Sequence, residues 1–238
     1  MIRGPIIAID GPAGAGKSTV ARHLAQHFGL LNLETGAMYR AFALKAIMSD
    51  QDFDDACALE RLARDTEIGL EPDRSNNRVY LDGADVTERI RDSDVTQAAS
   101  RVSVHPGIRA WMVALQRELG RHGGVVMEGR DIGTVVFPDA DVKVFLDASP
   151  EARSQRRYEQ NSANGRLVAA AAPEPSLVFR ELRERDERDR NRADSPLRPA
   201  PDAILIDSTN LTLEHVLTRI EDLVRPLFPR RGPAEKVG

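Results

Sequence analysis

Short apolar runs alternate along the chain with longer stretches in which apolar side chains recur at helical spacing. The runs are PIIAI (5–9), LLNL (30–33), VVME (125–128), VKVFL (142–146) and AILI (203–206). The last three are apolar on both faces, which indicates strands covered by helices on two sides. Helical spacing predicts a helix to Phe28 that stops at Gly29, one through Ile47, and one that begins at His105-Pro106 and stops at Gly120. The alternation predicts an α/β protein with a five-stranded parallel sheet.

Two segments break this alternation. In residues 66–92, EIGLE and RVYLD look like short strands joined by the turn-rich PDRSNN, and an Asp82-Gly83 turn follows them. They predict a small β-rich insert. NSANGRLVAAAAPEPS (161–176) mixes Gly, Pro and small residues between charged helices, which is typical of a mobile flap. The tail from Pro226 is predicted to be loose.

Composition limits the class of protein. The 238 residues are 41% hydrophobic, enough for one substantial core. A net charge of −4 argues against a nucleic-acid partner, so an anion site must be local. Only four of the 33 basic residues are lysines. One arginine guanidinium can donate hydrogen bonds to two phosphate oxygens at once. An excess of arginine over lysine can also come from genome composition.

The cellular compartment follows from two further observations. Cys57 is the only cysteine, which excludes an intrachain disulfide and indicates a reducing compartment; we expect it to be a small buried apolar residue. The amino-terminal apolar run is cut off by Asp10, too early for a signal peptide or a membrane span. We therefore expect a cytoplasmic protein without a membrane partner.

The segment IIAIDGPAGAGKST contains the strongest motif. Gly11, four residues, then Gly16, Lys17 and Ser18 match GxxxxGK[ST], directly after a predicted strand and at the start of a helix. Lys17 would reach the β- and γ-phosphates, and the Ser18 hydroxyl would ligate Mg²⁺. The predicted ATP-binding residues are Gly11, Pro12, Ala13, Gly14, Ala15, Gly16, Lys17, Ser18 and Thr19.

This loop alone is compatible with switch proteins, motors and small-molecule kinases. A guanine-nucleotide switch normally carries NKxD, and no Asn-Lys pair occurs in the chain. No basic groove or motor module is evident either. A kinase with a small acceptor is favoured.

Three polar segments are candidates for the acceptor side: LETGAMYR (33–40), EGRDIGT (128–134) and RERDERDRNR (183–192). Thr35 and Arg40 at a helix start suit an anion, or are only a cap and a surface arginine. Arg130 and Asp131 follow a strand end, where α/β sheets place ligands, or form a structural ion pair. Arg185, Asp189 and Arg192 share one helical stripe. That stripe is alternatively a solvated face with i,i+4 pairs such as Asp186–Arg190.

In this order, GPAGAGKST, LETGAMYR, EGRDIGTVVFPDA and RERDERDRNRADSPL resemble bacterial cytidylate kinases, which phosphorylate CMP and dCMP with ATP. The resemblance covers about Ile6 to Val224. It implies an adenylate-kinase-like P-loop NTPase, with MgATP and CMP or dCMP as ligands, and we expect a monomer. The implied single domain is 1–225: core 1–65, 93–150 and 177–225, monophosphate-side insert 66–92, lid 151–176, and a flexible tail 226–238.

The resemblance also implies roles for individual residues. It places cytosine at Ser100, Arg109 and Asp131, the acceptor phosphate among Arg40, Arg130 and Arg192, the sugar near Arg185 and Asp189, and Thr35 and Tyr39 in the pocket wall. Lys17, Arg130, Arg192 and Arg157 are the implied catalytic residues, with Arg153 a second candidate for clamping the transferred group. Glu34 stands where many relatives have Asp, a departure that should be tolerated if its side chain points aside. The alternatives are a P-loop kinase of UMP, AMP or a hydroxyl metabolite, and a nucleotide-dependent regulatory binding protein.

Overall fold

Eight strands lie in the described part of the computed structural model, which comprises residues 3–71, 77–163 and 175–228. They are β1 (Ile6–Asp10), β2 (Leu31–Glu34), β3 (Ile68–Glu71), β4 (Arg78–Leu81), β5 (Ala84–Asp85), β6 (Val125–Gly129), β7 (Val142–Asp147) and β8 (Ile204–Asp207). Five form one sheet in the order β2-β6-β1-β7-β8. All neighbouring pairs are parallel. The predicted five-stranded parallel sheet is confirmed.

The register brings several acidic residues to one edge of this sheet. Asp10 pairs with Gly129, and Glu34 pairs with Glu128, at the carboxyl ends of β1, β2 and β6. Because parallel strands all end on the same side, these residues lie where open α/β sheets bind ligands.

The prediction that AILI is covered on both faces is wrong. Ile204 and Leu205 of β8 are 43% and 63% exposed. The reason is the position of β8: among the described strands it pairs only with β7, at the edge of the sheet. β1, in the middle, is buried along its whole length.

Eight α-helices accompany the strands within the described residues: α1 (Lys17–Phe28), α2 (Thr35–Met48), α3 (Ala56–Arg64), α4 (Ser93–Val102), α5 (Pro106–Gly120), α6 (Pro150–Ala163), α7 (Pro175–Asn191) and α8 (Leu213–Val224). α1 and α8 pack together on the sheet through a shared apolar cluster. α2, α4 and α5 build a second cluster. Gly29 caps the end of α1, and its φ of 67° is the left-handed conformation expected of a glycine stop.

The β-rich insert is also confirmed. β3, β4 and β5 form a three-stranded sheet with antiparallel pairs, in which Ile68 lies opposite Leu81. Asp82 and Gly83 both have positive φ in the turn that follows β4, as the sequence pattern predicts. Most of the preceding turn, residues 72–76, lies outside the described residues.

Cys57 is exposed, contrary to the expectation that it is buried. α3 buries Leu59 and Ala63, which are one helical turn apart. Cys57, two positions before Leu59, lies about 200° around the helix from it and so faces away from the core.

Two predicted segments are only partly described. The predicted lid, 151–176, contains most of α6 and the first residues of α7, and its residues 164–174 lie outside the described residues, as do residues 229–238 of the predicted tail. Within the described ranges, no helix combines the length and the apolar composition that crossing a bilayer requires.

Candidate active site

The loop between β1 and α1 has the backbone that a phosphate cradle needs. Gly11 has φ 149°, and a Cβ there would lie 2.0 Å from the Leu146 carbonyl oxygen. Gly16 caps α1 with φ 97°. Both positions therefore require glycine. Unpaired amides at the start of α1, together with the helix dipole, favour an anion at this point.

Lys17 and Ser18, the first residues of α1, both approach Glu128 of β6. The Lys17 ammonium donates to the Pro12 carbonyl at 2.7 Å and lies 4.0 Å from the Glu128 carboxylate. The Ser18 hydroxyl donates to Glu128 at 2.7 Å. Burial first, and then the charge of Arg130, lower the pKa of Lys17 to about 7, although Glu128 acts in the opposite direction.

The oxygens of Ser18 and Glu128 fit the magnesium ion that the motif implies. Mg²⁺ prefers hydroxyl and carboxylate oxygens, and P-loop proteins hold it with the loop Ser or Thr and an acidic residue. Glu128 is buried and stands at the carboxyl end of the strand beside β1. Glu128 was not among the predicted site residues. The available signal was a carboxylate at the end of a predicted strand, two positions before Arg130.

One cavity of about 570 Å³ joins this loop to the predicted acceptor residues. Its described lining holds ten cationic and four carboxylate side chains. The cationic ones are Lys17, Arg22, Arg40, Arg91, Arg109, Arg130, Arg156, Arg157, Arg185 and Arg192, and the carboxylates are Glu34, Glu128, Asp131 and Asp189. The local excess of six formal positive charges contrasts with −4 for the whole chain. Positive charge is therefore concentrated at this cavity, as an anion site in an acidic chain would require.

Most predicted site residues meet in this cavity. Ala13 to Thr19 line it, as do Thr35, Tyr39, Arg40, Arg109, Arg130, Asp131, Arg157, Arg185, Asp189 and Arg192. Ser100 does not: it is 4% exposed, its hydroxyl has no hydrogen-bond partner in the described structure, and Ala99 and Ser103 form the cavity wall beside it. Gly11 and Pro12 belong to the P-loop but do not line the cavity.

Asp189 on α7 holds two of the predicted phosphate arginines. Arg130 Nε donates to Asp189 Oδ2 at 2.8 Å, and Arg192 lies 3.6 Å from Oδ1. Burial opposes ionisation of Asp189, but Arg130, Arg185 and Arg192 lower its pKa, so it is a carboxylate. Asp189 and Arg192 are 4% and 9% exposed. The interpretation of this stripe as a solvated helix face is therefore wrong.

Arg185 completes the stripe. Its Nε is buried with no hydrogen-bond acceptor in the described structure. Burial, followed by the neighbouring charge of Arg130, lowers its pKa to about 10. A buried guanidinium donor without an acceptor is suited to an incoming oxygen ligand.

Asp131 is paired with Arg109 rather than with its neighbour Arg130. The two side chains lie 2.5 Å apart and are 9% and 4% exposed. Arg109 also donates to the Ser103 carbonyl at 3.3 Å and lies 5.8 Å from the centre of the Tyr39 ring. Burial raises the pKa of Tyr39 to about 12. The Arg109–Asp131 pair therefore presents both guanidinium donors and a carboxylate acceptor to the cavity.

Glu34 and Thr35 orient the β2–α2 side of the cavity. Glu34 accepts from Arg40 at 2.6 Å and lines the cavity, so it does not point aside. Burial opposes ionisation of Glu34, but the Arg40 guanidinium lowers its pKa. The Thr35 hydroxyl donates to the Glu128 carbonyl at 2.8 Å, which ties the start of α2 to β6.

A family model described as "Cytidylate kinase" matches residues 7–226. The chain belongs to the cytidylate kinase family. The cytidylate kinase of Pelotomaculum thermopropionicum (strain DSM 13744 / JCM 10971 / SI) is 52% identical over 217 residues, which are 91% of this chain and 94% of the relative. The resemblance given by the four motifs is thereby confirmed, as is the phosphotransferase class.

Two further comparisons involve proteins that differ more from this chain in size or in sequence. The bifunctional pantoate ligase/cytidylate kinase of Synechococcus sp. (strain JA-2-3B'a(2-13)) is 49% identical over 98% of this chain, which spans only 42% of that relative. A shikimate kinase structure from Acinetobacter baumannii, in complex with shikimate, has a TM-score of 0.44 and 18% identity over 95% of this chain and 96% of its own. So distant a similarity has no bearing on the acceptor of a cytidylate kinase family member.

The arginines of α6 have different roles in this cytidylate kinase family member. Arg153 is 1% exposed and donates to the Ala13 carbonyl of the P-loop at 3.0 Å. It also pairs with Asp186 at 2.7 Å, so the predicted Asp186–Arg190 pair is wrong. With these partners Arg153 supports the loop and is not free to clamp a phosphoryl group, whereas Arg157 lines the cavity.

Two further residues at the site, Asp10 and Arg156, were not among the predicted site residues. Asp10 accepts from the amides of Ile132 and Gly133, each at 2.8 Å, and so fixes the loop that carries Arg130 and Asp131. Burial raises the pKa of Asp10 to about 6. Arg156 donates to the carbonyl of Ser208 at 2.6 Å. It lines the end of the cavity where Leu211, Leu213 and Val216 supply apolar surface.

Proposed function

We propose that the protein transfers the γ-phosphoryl group of MgATP to the 5′-phosphate of CMP or dCMP, giving ADP and CDP or dCDP. The observation that carries the proposal is one cavity, in a member of the cytidylate kinase family, that joins a P-loop to a cluster of arginines held by Asp189. A member with such a cavity has a place for a donor and an anionic acceptor side by side.

The acceptor phosphate is assigned to Arg40, Arg130 and Arg192. Arg130 and Arg192 are oriented by Asp189, and Arg40 by Glu34. Because each guanidinium is fixed by a carboxylate, little side-chain order remains to be gained on binding. Arg185 and Asp189 are assigned to the sugar, and Thr35 and Tyr39 to the wall.

The base is assigned to the Arg109–Asp131 pair, with Ser100 behind it. A carboxylate accepts from the cytosine amino group, whereas the corresponding carbonyl of uracil would face it without a donor. Arg109 fixes the Asp131 carboxylate, and so makes this discrimination rigid. Leu211, Leu213 and Val216 at the opposite end are assigned to the adenine of ATP.

Catalysis is then positioning and charge neutralisation. The acceptor phosphate is anionic near neutral pH, so no carboxylate base is required. Lys17 would leave the Pro12 carbonyl for the β- and γ-phosphates, and Arg130, Arg157 and Arg192 would surround the transferred group. Ser18 and Glu128 would hold the Mg²⁺ of MgATP, which neutralises phosphate charge when bound.

The remaining features of the proposal concern the surroundings of the site. Residues 151–176 would act as a lid that excludes water and suppresses ATP hydrolysis. We propose a monomer in the cytoplasm, with ATP and CMP or dCMP as ligands and without nucleic-acid or membrane partners.

The test is an ADP-release assay of the purified protein with MgATP against all ribo- and deoxyribonucleoside monophosphates and shikimate. CMP and dCMP should give the highest kcat/KM. Equal efficiency with UMP or AMP would refute the base assignment, and ADP release without a phosphorylated acceptor would refute the kinase.

A further inference from the structure

Two histidines of α1 and one glutamate of α8 bring three metal-ligating side chains together outside the nucleotide cavity. His23 Nε2 lies 2.6 Å, and His27 Nδ1 3.9 Å, from the same oxygen of Glu221, Oε1. All three ligand atoms lie within 4.8 Å of one another. None of the three residues lines the cavity, so nucleotide binding and phosphoryl transfer do not explain them.

The scaffold that holds this cluster is rigid. His23 and His27 are four residues apart on α1, so both rings lie on one face, 5.8 Å apart and nearly parallel. α1 and α8 share buried contacts that include Leu24 and Ile220, the neighbours of His23 and Glu221 in sequence. The three side chains thus come from two helices fixed on the same sheet, and do not depend on a loop.

The cluster is also open to an ion. The side chains of His23, His27 and Glu221 are 36%, 43% and 16% exposed. Arg225 contacts the other oxygen of Glu221, Oε2, at 3.2 Å. That contact orients the carboxylate from outside and leaves Oε1 directed toward the two imidazoles, as supporting residues do around metal ligands.

We infer that His23, His27 and Glu221 form a binding site for a transition-metal dication of the Zn²⁺ type. Two imidazoles and one carboxylate are ligands that suit zinc, whereas Mg²⁺ requires an octahedron of oxygens. Tetrahedral zinc with bonds of about 2.0–2.1 Å sets neighbouring ligand atoms about 3.3 Å apart. The two separations, 2.6 and 3.9 Å, lie on either side of that value. Small side-chain rotations would equalise them, and water would take the fourth position.

A bound ion would join α1 to α8. α1 begins at Lys17, and α8 contributes Leu213 and Val216 to the cavity. The site therefore links two helices that carry parts of the nucleotide site, although it lies outside that site. Since an ion that binds only the folded chain stabilises it, zinc should raise the melting temperature.

The test is titration calorimetry with ZnCl₂ of the 238-residue chain, freed of transition metals, in buffer that contains Mg²⁺. A Cys57→Ser background removes the exposed thiol, which is a competing zinc ligand. We expect one zinc ion per chain. His27→Ala and Glu221→Gln should each weaken binding by at least about tenfold. His122→Ala, which removes a different exposed histidine, should leave it unchanged.

Further readouts separate the site from a simple His–Glu hydrogen bond. Bound Co²⁺ should give the visible spectrum of a tetrahedral nitrogen and oxygen site without a sulfur charge-transfer band. His27→Ala should keep CMP phosphorylation, so a failure of this site and a failure of the kinase proposal are distinguishable. Absence of stoichiometric zinc binding, or equal affinity of the His27→Ala variant and its parent, would overturn the inference.

Discussion

Replacing Lys17 by methionine should abolish turnover and at the same time stabilise the nucleotide-free protein. The Lys17 side chain is 5% exposed, and its pKa is lowered from the ordinary 10.5 to about 7 by burial and by Arg130. That change corresponds to about 5 kcal/mol against folding with the amine charged. The hydrogen bond to Pro12 is lost in the variant, so we expect a net gain of about 2–4 kcal/mol near pH 6.

The stability difference between Lys17→Met and the wild type should depend on pH. The folded pKa of Lys17 lies below the unfolded value, so between about pH 7 and pH 10 the unfolded chain binds more protons. Wild-type stability should therefore rise with pH in this range by about 1.4 kcal/mol per unit from this group. Methionine binds no proton. The advantage of Lys17→Met should be largest near pH 6 and should shrink by about 2–3 kcal/mol by pH 9.

Urea unfolding followed by circular dichroism, without nucleotide, gives the free energy of unfolding of the wild type and of Lys17→Met at about pH 6 and about pH 9. Lys45→Met, a lysine outside the cavity, is the matched control for loss of an ammonium group. The ADP-release assay should show a loss of at least about 10²-fold in kcat for Lys17→Met. A stability difference that is independent of pH, or near-normal kcat, would refute the reasoning.

Three other substitutions test separate parts of the site. Asp131→Ala should lower the kcat/KM preference for CMP over UMP by about 5- to 150-fold in acceptor assays, because one buried hydrogen bond is lost; unchanged preference would contradict the base assignment. Glu128→Gln should raise the Mg²⁺ concentration needed for half-maximal turnover by about tenfold, whereas an unchanged Mg²⁺ titration would remove Glu128 from the metal site. Arg153→Met should lower the free energy of unfolding by about 3–5 kcal/mol in urea, because it leaves Asp186 buried without its cation. A change below about 1 kcal/mol would show that this pair is dispensable.

The fold was predictable because its signals are local. β1, β6 and β7 are mostly apolar runs, and the insert is marked by turn residues such as Asp82-Gly83. The exposure of β8 was not predictable, since an edge strand and a central strand have the same apolar composition. The exposure of Cys57 follows from which face of α3 meets the core, and this depends on tertiary packing.

The site was predictable only where a motif or the family resemblance supplied it. Gly16, Lys17 and Ser18 form a contiguous motif. The Arg130–Asp189 pair joins residues 59 positions apart, and neither segment alone separates a pocket from a solvated helix. Arg153 illustrates the limit: a buried structural arginine and a phosphate clamp look identical in sequence, and only the bonds to Ala13 and Asp186 separate them.

Arg185 offers the sharpest test of how the two halves of the cavity are joined. The resemblance assigns it to the sugar, but its charge lowers the pKa of Lys17, and Arg130, Arg40 and Arg157 act on its own pKa. Arg185 therefore interacts electrostatically with residues assigned to the donor and with residues assigned to the acceptor phosphate. Charge develops between these two groups of residues during transfer. Arg185→Met should lower kcat by about 10²-fold, with smaller changes in KM for ATP and CMP. It should also stabilise the nucleotide-free chain, because it relieves like-charge repulsion in the cavity. If kcat is unchanged and only the KM for CMP rises, Arg185 is a sugar ligand alone. The proposal that it neutralises charge during phosphoryl transfer is then refuted.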